Sequence, residues 1–449
     1  MRKFLQVVVP CIAFLPFSLT GQEWPQFRGP QASGLGTGKT VTEWNIETGK
    51  NILYQVPVPG LGHSSPIIVE DRIYLTTAVA EEDPELKLGL YGSIDSVPKE
   101  GTQEWRILAF ERETGKLIFN KLGHKAVPRA QRHPKATQCN STPATDGKYI
   151  VTFFGSEGLF CFNMEGELQW HHDLGAMNAG YFKSPSAEWG FASSPVIHEG
   201  HAYVLCDVQE GSFIGKVILE TGEWAWKKKR NDVPTWSSPT IAKVGSKAQV
   251  LVNGWKETGG YDIETGEKIW SLSGGGDIPV PTPIVGADFA YFTSAHGRFR
   301  PMRAVRLTAQ GEITPPEVKG TNEHIAWVHH RRGNYMQTPL LIGESLFACN
   351  DRGNLTCFDA KDGTIYFSER LPGNGFSASL VSDGSSIYVT SEFGDIWVVK
   401  NDRTYQELAR HELNTTCMAT PAICEGVIYF RTRETLLAIG NKKEPKAEE

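Results

Sequence analysis

The chain contains no Cys-x-x-Cys pair, no His-Glu-x-x-His, no glycine-rich phosphate loop and no nucleophile elbow, so none of the common signatures of zinc, nucleotide or acyl-transfer chemistry is present. Beyond the N-terminal leader no apolar run approaches the roughly 20 residues that a membrane-spanning helix needs. Excess positive charge is lacking too. The 45 Lys and Arg stand against 51 Asp and Glu, a net charge of -6, which argues against nucleic-acid binding through bulk charge. Cysteine is sparse, and with Cys11 in the leader an odd seven remain, which is not the disulfide framework of a small secreted domain. Cys349 and Cys357 flank the turn Asp351-Arg352-Gly353-Asn354, and strand register decides whether they share a face. What is abundant is punctuation: 46 Gly and 26 Pro, with 12 Trp, indicate many short strands joined by tight turns, an all-β protein.

Residues 1–21 read as a secretory signal peptide, with Arg2 and Lys3, the apolar run Phe4 to Phe17, and small or polar Ser18, Thr20 and Gly21. Cys11 follows Pro10 rather than a small residue, which argues against a lipoprotein cleavage site. The mature chain is therefore expected to be periplasmic or extracellular, without a membrane span once the leader is removed. Residues 22–440 read as one domain and residues 441–449 as a charged, disordered tail.

A Ser/Thr-Pro pair followed by strand, turn and strand recurs at Ser65, Thr142, Ser194, Ser238, Thr282, Thr338 and Thr420, and Ser379-Leu380 is an eighth copy without the proline. The shortest steps are about 41 to 44 residues, the length of a four-stranded propeller blade. Eight positions after the proline, or after Leu380 in the copy without one, lie Tyr74, Val151, Tyr203, Tyr291, Phe347, Tyr388 and Tyr429, aromatic in six of the seven. A turn glycine is followed four residues later by an aromatic at Gly115/Phe119, Gly166/Trp170, Gly222/Trp226, Gly266/Trp270 and Gly363/Phe367. The last copy supplies only three strands, and Asn51 to Val56 is one strand without a blade. The chain thus predicts an eight-bladed β-propeller of four-stranded antiparallel blades, closed by its N-terminal strand.

The blade pattern Tyr261-Asp262-Ile263-Glu264-Thr265-Gly266-Glu267-Lys268-Ile269-Trp270 and the opening Trp24-Pro25-Gln26-Phe27-Arg28-Gly29-Pro30 resemble the pyrroloquinoline-quinone-type β-propeller repeat family over Trp24 to Gly440. Its dehydrogenase branch implies a quinone over the propeller axis, a calcium ion held by side-chain oxygens, an aspartate base and an adjacent-cysteine disulfide. This chain has no Cys-Cys pair, and no calcium or quinone ligands can be matched in it. Its outer-membrane assembly branch implies a lipidated cysteine after the leader, which is also missing. Pyrroloquinoline quinone with calcium is therefore a cofactor that the resemblance admits but no matched residue supports. The reading is a non-catalytic, exported binding or scaffold module. The alternatives are a quinone-dependent alcohol or sugar dehydrogenase with a divergent site, and a propeller like the assembly factor.

In a blade with strands A to D running outward, B-to-C and D-to-A connections share one face. Insertions at Ala80 to Glu104, Leu122 to Gln138, Asp173 to Gly190, Ser294 to Met302 and His329 to Met336 fall on it, and Ala309 to Glu323 falls on the other. A face that gathers irregular loops on a rigid scaffold is the expected binding face, for a protein or glycan partner of a monomeric propeller. The residues leading into each inner strand should ring its mouth with hydroxyl and amide groups. His63, Asn140, Trp189, Trp236, Tyr335, Gln337 and Phe376 are the candidate ligand-binding residues there. The first insertion is rich in acid and the second carries Lys125, Arg129, Arg132 and Lys135 without any, so the two are expected to pair. Arg298, Arg300, Arg303, Arg331 and Arg332 form a second basic group, of which Arg298, Arg300, Arg331 and Arg332 are the candidates for an anion, because guanidinium forks match carboxylate, sulfate or phosphate oxygens. His171-His172 and His329-His330 alternate sides of a strand and are not expected to chelate one metal.

Overall fold

The computed structural model describes residues 23–442, save positions 90, 91, 185, 318, 319 and 374, so the expected signal peptide and most of the expected charged tail lie outside the described residues. Eight antiparallel sheets, each begun by one Ser/Thr anchor, form an eight-bladed propeller. The eighth is assembled from both ends of the chain. Ala422–Cys424, Val427–Arg431 and Thr435–Ile439 run outward from the axis, and Ile52–Pro57 pairs with the last of them, Ile52 opposite Ile439 and Val56 opposite Leu436. One blade departs from four strands. Gly311–Glu312, inside the insertion on the face of short turns, pairs in parallel with Lys268–Leu272 and adds a fifth strand to the outer edge of blade 4.

The repeated residues explain themselves at the blade junctions. At six of the eight junctions the backbone N–H of one anchor donates to the anchor hydroxyl of the next blade: Ser65 to Thr142, Thr142 to Ser194 and Ser194 to Ser238 at 2.9 Å, then Thr282 to Thr338, Thr338 to Ser379 and Ser379 to Thr420 at 3.0 Å. The hydroxyl is what the ring requires, which is why the copy at Ser379 tolerates the loss of proline. The second mark is also an interlock between neighbours. A methyl group on Gly166, Gly222, Gly266 or Gly363 would collide with Phe119, Trp170, Trp226 or Trp327 of the preceding blade, and all four glycines have φ between 69° and 77°. At the closing junction Tyr54 lies in the same way against Gly115, so the N-terminal strand carries the interlocking aromatic of blade 8.

The Trp24 to Gly38 stretch, unassigned by the repeat, fills the axis. Trp24 exchanges two backbone hydrogen bonds with Ile68 (2.9 Å each), and the carbonyl of Pro25 accepts from Thr145 (2.9 Å). Gly34 and Gly36 pair with Ser382, and Thr37 accepts from Gly426. These contacts use the free axial edges of inner strands, near their short turns, on blades 1, 2, 7 and 8. Arg28 is completely buried at the centre. Its guanidinium donates to the carbonyls of Ala32 (3.1 Å), Ser33 (3.1 Å), Pro339 (2.8 Å) and Leu380 (2.6 Å). Arg28, Gln31 and Ala32 all have positive φ, which non-glycine residues adopt only when surrounding contacts hold them. The channel is therefore plugged at one end and open at the other.

The seven cysteines from Cys139 to Cys424 are buried and free. Cys349 pairs with Leu355 and Cys357 with Phe347, so the two cysteines share a face of the sheet as diagonal rather than opposed neighbours.

Candidate functional site

The open end is the face that gathers the insertions, although their bounds shift. The fourth strand of blade 1, Leu117–Ala126, is ten residues long and takes in the first five residues of the second insertion, while Gln103 and Glu104 already belong to the third strand. At the centre of this face lies a cavity of about 170 Å³ lined by His63, His133, Lys135, Asn140, Trp189, Trp236, Tyr335, Met336 and Met418, among others. Five of the seven sequence candidates thus meet in one place. Gln337 and Phe376 do not: both are fully buried outside the cavity, the Gln337 amide donates to the Phe376 carbonyl, and the Phe376 ring packs 5.3 Å from Trp397.

The wall is more aromatic and less polar than the lead-in residues suggest. Ser64 Oγ donates to the carbonyl of Thr76 (2.9 Å), Ser141 Oγ to Ser193 (2.9 Å) and Ser237 Oγ to Pro281 (3.0 Å), so these hydroxyls serve the strands rather than the mouth. Asn140 reaches the cavity, yet its amide is engaged by Thr137 and Phe191. Trp236 Nε1 donates to Gly190 (2.8 Å), Tyr181 stacks parallel to Trp189 at 5.8 Å, and Trp189 lies 5.7 Å from Trp236. What remains is a cleft of aromatic and methionine surface with basic groups at its edge.

Those basic groups are held by a buried pair that sequence spacing did not reveal. Lys135 Nζ lies 2.5 Å from Glu392 Oε1, both side chains nearly inaccessible, and Glu392 also accepts from Ser377 Oγ (2.5 Å) and the Gly89 N–H (2.8 Å). Burial pulls Lys135 below the usual lysine range. For Glu392 burial works upward, but Lys135, Ser377 and Gly89 outweigh it and keep the carboxyl below its ordinary value. The expected pairing between the first two insertions is half met. Arg132 binds Glu100 (2.8 Å) and Lys125 binds Glu104 (2.9 Å), whereas Arg129 turns to Asp173 (2.5 Å) and Glu157 (3.3 Å).

Farther round, Arg298, His330, Arg331 and Arg332 line a surface hollow of about 510 Å³, with Arg300 held beside Arg331 by a short parallel bridge. All four arginines are exposed, and among the described residues none forms an ion pair; Arg332 donates to Ser368 Oγ (3.1 Å). Arg303 is different. It is buried, donates to the carbonyl of Gly274 and is pulled down to about 10 by burial. His172 and His329 occupy equivalent positions, each bonded at 2.7 Å to a turn-glycine carbonyl of the next blade.

Burial pulls both His63 and His133 down to about 4, so both are neutral at pH 7. An unfolded histidine titrates near 6.5. Because the folded values lie lower, stability is complete above pH 6.5 and is lost as pH falls from there toward 4, by at most roughly 1.4 kcal/mol per pH unit for each ring. Thermal melts between pH 7.5 and 4.5 are expected to fall steeply for the parent and less steeply for His63→Gln/His133→Gln; parallel slopes would contradict this.

A family model described as outer membrane protein assembly factor BamB matches residues 28–181 and 106–369, together about three quarters of the chain. The chain belongs to this family of PQQ-like β-propellers. Structures similar to this family member include BamB from Moraxella catarrhalis, at 12% identity over 81% of this chain and 98% of that one with a TM-score of 0.54. A quinohemoprotein alcohol dehydrogenase from Comamonas testosteroni matches at 11% identity over 95% and 82% with a TM-score of 0.63. A europium-containing methanol dehydrogenase matches at 8% identity over 92% and 89% with a TM-score of 0.61. At these identities the likeness is one of fold. No curated protein sequence matches the chain.

The residues of this PQQ-like propeller do not fit a calcium-bridged quinone. The cavity lining includes no carboxylate, the nearby Glu392 is committed to Lys135, and among the described residues no three His, Cys, Asp or Glu side chains assemble an ion-binding set. No helix of the described residues is long and apolar enough to cross a membrane.

Proposed function

We propose that this propeller is a non-catalytic binding module, working outside the cytoplasm, that docks a protein or glycan partner on its loop-bearing face through the partner's acidic groups. The observation that supports this reading is the exposed set Arg298, Arg300, Arg331 and Arg332, around a hollow and without ion pairs among the described residues, on a face where Lys125, Arg129, Arg132, Lys135 and Lys183 all have carboxylate partners. The family description supports a protein partner. The axial cleft beside it offers aromatic surface that a docked side chain or sugar ring would cover.

Replacing the four arginines with Ala is expected to lower the salt needed for elution from a polyglutamate or sulfated-glycan matrix and to weaken binding at least tenfold. Each exposed change should alter stability by less than about 0.5 kcal/mol. Lys116→Ala, Lys268→Ala and Lys361→Ala on the face of short turns should leave retention unchanged. Retention should also fall with salt, since exposed charges are screened over about 8 Å at physiological ionic strength. If the lysine variant loses retention and the arginine variant keeps it, the working face is the other one.

A further inference from the structure

The aromatic surface of the axial cleft continues toward the exposed arginines. Trp236 lies 5.7 Å from Trp189, Trp189 stacks on Tyr181 at 5.8 Å, His296 meets Tyr181 edge-on at 5.5 Å, and Tyr335 lies 6.4 Å from His296. The five rings form one band. It reaches the basic group at two points, because Arg298 is two residues beyond His296 and Arg332 three residues before Tyr335. Three residues span at most about 11 Å. At this join His296 has a φ of 71°, a left-handed conformation that a non-glycine residue keeps only where its neighbours hold it, and such strain gathers at binding sites.

The cleft discriminates between classes of occupant. A cation would meet Lys135 inside and the arginines outside, and no carboxylate lines the cavity. A sugar ring needs partners for its hydroxyls, but the polar atoms of the wall are largely engaged. His63 Nε2 is bonded to the Lys135 carbonyl (3.0 Å), His133 Nδ1 accepts from the Lys135 N–H (3.1 Å), and Ser377 Oγ donates to Glu392. Asn140 and Trp236 also donate to backbone carbonyls, and Trp189 Nε1, which has no partner, is itself buried. Sugar hydroxyls desolvated against such a wall would go without hydrogen bonds, which is costly. An apolar ring asks for none. An apolar cavity of about 150 Å³ takes a benzene molecule. This one measures about 170 Å³.

We propose that the cleft is an anchor pocket for one aromatic side chain of a protein partner, whose acidic groups, about three or four residues along the same extended segment, lie on Arg298, Arg300, Arg331 and Arg332. This rests on the docking reading above and narrows its partner from protein or glycan to an acidic peptide segment with an aromatic anchor. A ring buried at the centre of a face, with charged contacts around it, is the arrangement in which one residue carries much of the affinity.

The test is isothermal titration calorimetry of the full chain with two synthetic peptides, Gly-Ser-Phe-Gly-Asp-Glu-Asp and the same peptide with Ser in place of Phe. The phenylalanine peptide is expected to bind roughly tenfold or more tighter. Ala192→Phe, which puts a ring into the cavity from its own wall, should remove that difference and leave the affinity for the serine peptide unchanged; Val280→Phe serves if Ala192→Phe does not fold. Replacing the four arginines with Ala should weaken both peptides alike. Equal affinity for the two peptides, both lost with the arginines, overturns the anchor and leaves the docking reading standing. A difference between the peptides with no loss of affinity in the arginine variant upholds the anchor alone and overturns that reading. Binding of neither peptide overturns both. A heparin-derived oligosaccharide that binds the parent and is lost from Ala192→Phe means that a sugar fills the cleft, which also overturns the proposal.

Discussion

A chain lacking Asn51 to Val56 is expected to elute as aggregate, or to melt far below the parent. The deletion strips the outer strand from blade 8 and exposes the backbone edge of Thr435–Ile439, which now meets it in register from Ile52/Ile439 to Pro57/Thr435. It also removes Tyr54, whose ring packs against Gly115 and whose hydroxyl donates to the carbonyl of Arg112 (3.0 Å). Ile52, Leu53, Tyr54 and Val56 are partly buried against the core of this junction. At up to about 1.5 kcal/mol for each such partly buried side chain, the loss is comparable with the lower end of the 5–15 kcal/mol that holds a typical domain folded. A bare edge strand also invites pairing with another chain. Size-exclusion chromatography and a thermal melt check both points. A monomer that melts with the parent would mean that the ring holds without its closing strand.

Replacing Arg28 with Met is expected to destabilise the protein by about 3–5 kcal/mol, although Met is apolar and of similar length. The methionine leaves the partly buried carbonyl of Ser33, and the buried ones of Ala32, Pro339 and Leu380, without their donor. The last two belong to blades 6 and 7, so the plug loses its hold on the far side of the ring. Burial alone pulls the Arg28 guanidinium down to about 9, and it stays charged at neutral pH. Urea titration gives the total loss, and hydrogen exchange at Ser382 and Gly36 should show the segment opening before the blades do. Equal stability of parent and variant would show that the carbonyls find water instead.

The features legible in the sequence are those the fold repeats. An anchor hydroxyl recurs because six of the eight ring junctions use it as the acceptor, and glycine precedes an aromatic because the blade edges at Gly115, Gly166, Gly222, Gly266 and Gly363 meet their neighbours in the same way. The plug escaped because Trp24 to Gly38 follows no strand or helix period and binds mostly through backbone atoms of distant blades. Lys135 and Glu392 escaped for a related reason: 257 positions separate them, and only the ring brings them together. Asn140, Gln337 and the anchor-leading serines were expected at the mouth because of their position before the inner strands. Their polar atoms, however, are drawn back into the scaffold by unsatisfied backbone groups closer than any ligand. The exposed arginines stood out because less acid lies near them in sequence, and among the described residues no ion pair answers them.

The plug also fixes the order in which the molecule can be made. Trp24 and Gly34 are synthesised before any blade, yet they bond to strands as late as Ser382 and Gly36 lies against Ile423. The first residues of the domain must therefore wait, loose, while seven blades are built around them. Contacts of such sequence separation close late and slowly. A ribosome stalled anywhere before residue 435 would release a crescent with both its flanks unpaired and its hub unseated, so for this chain an incomplete product is not a smaller propeller but an open one.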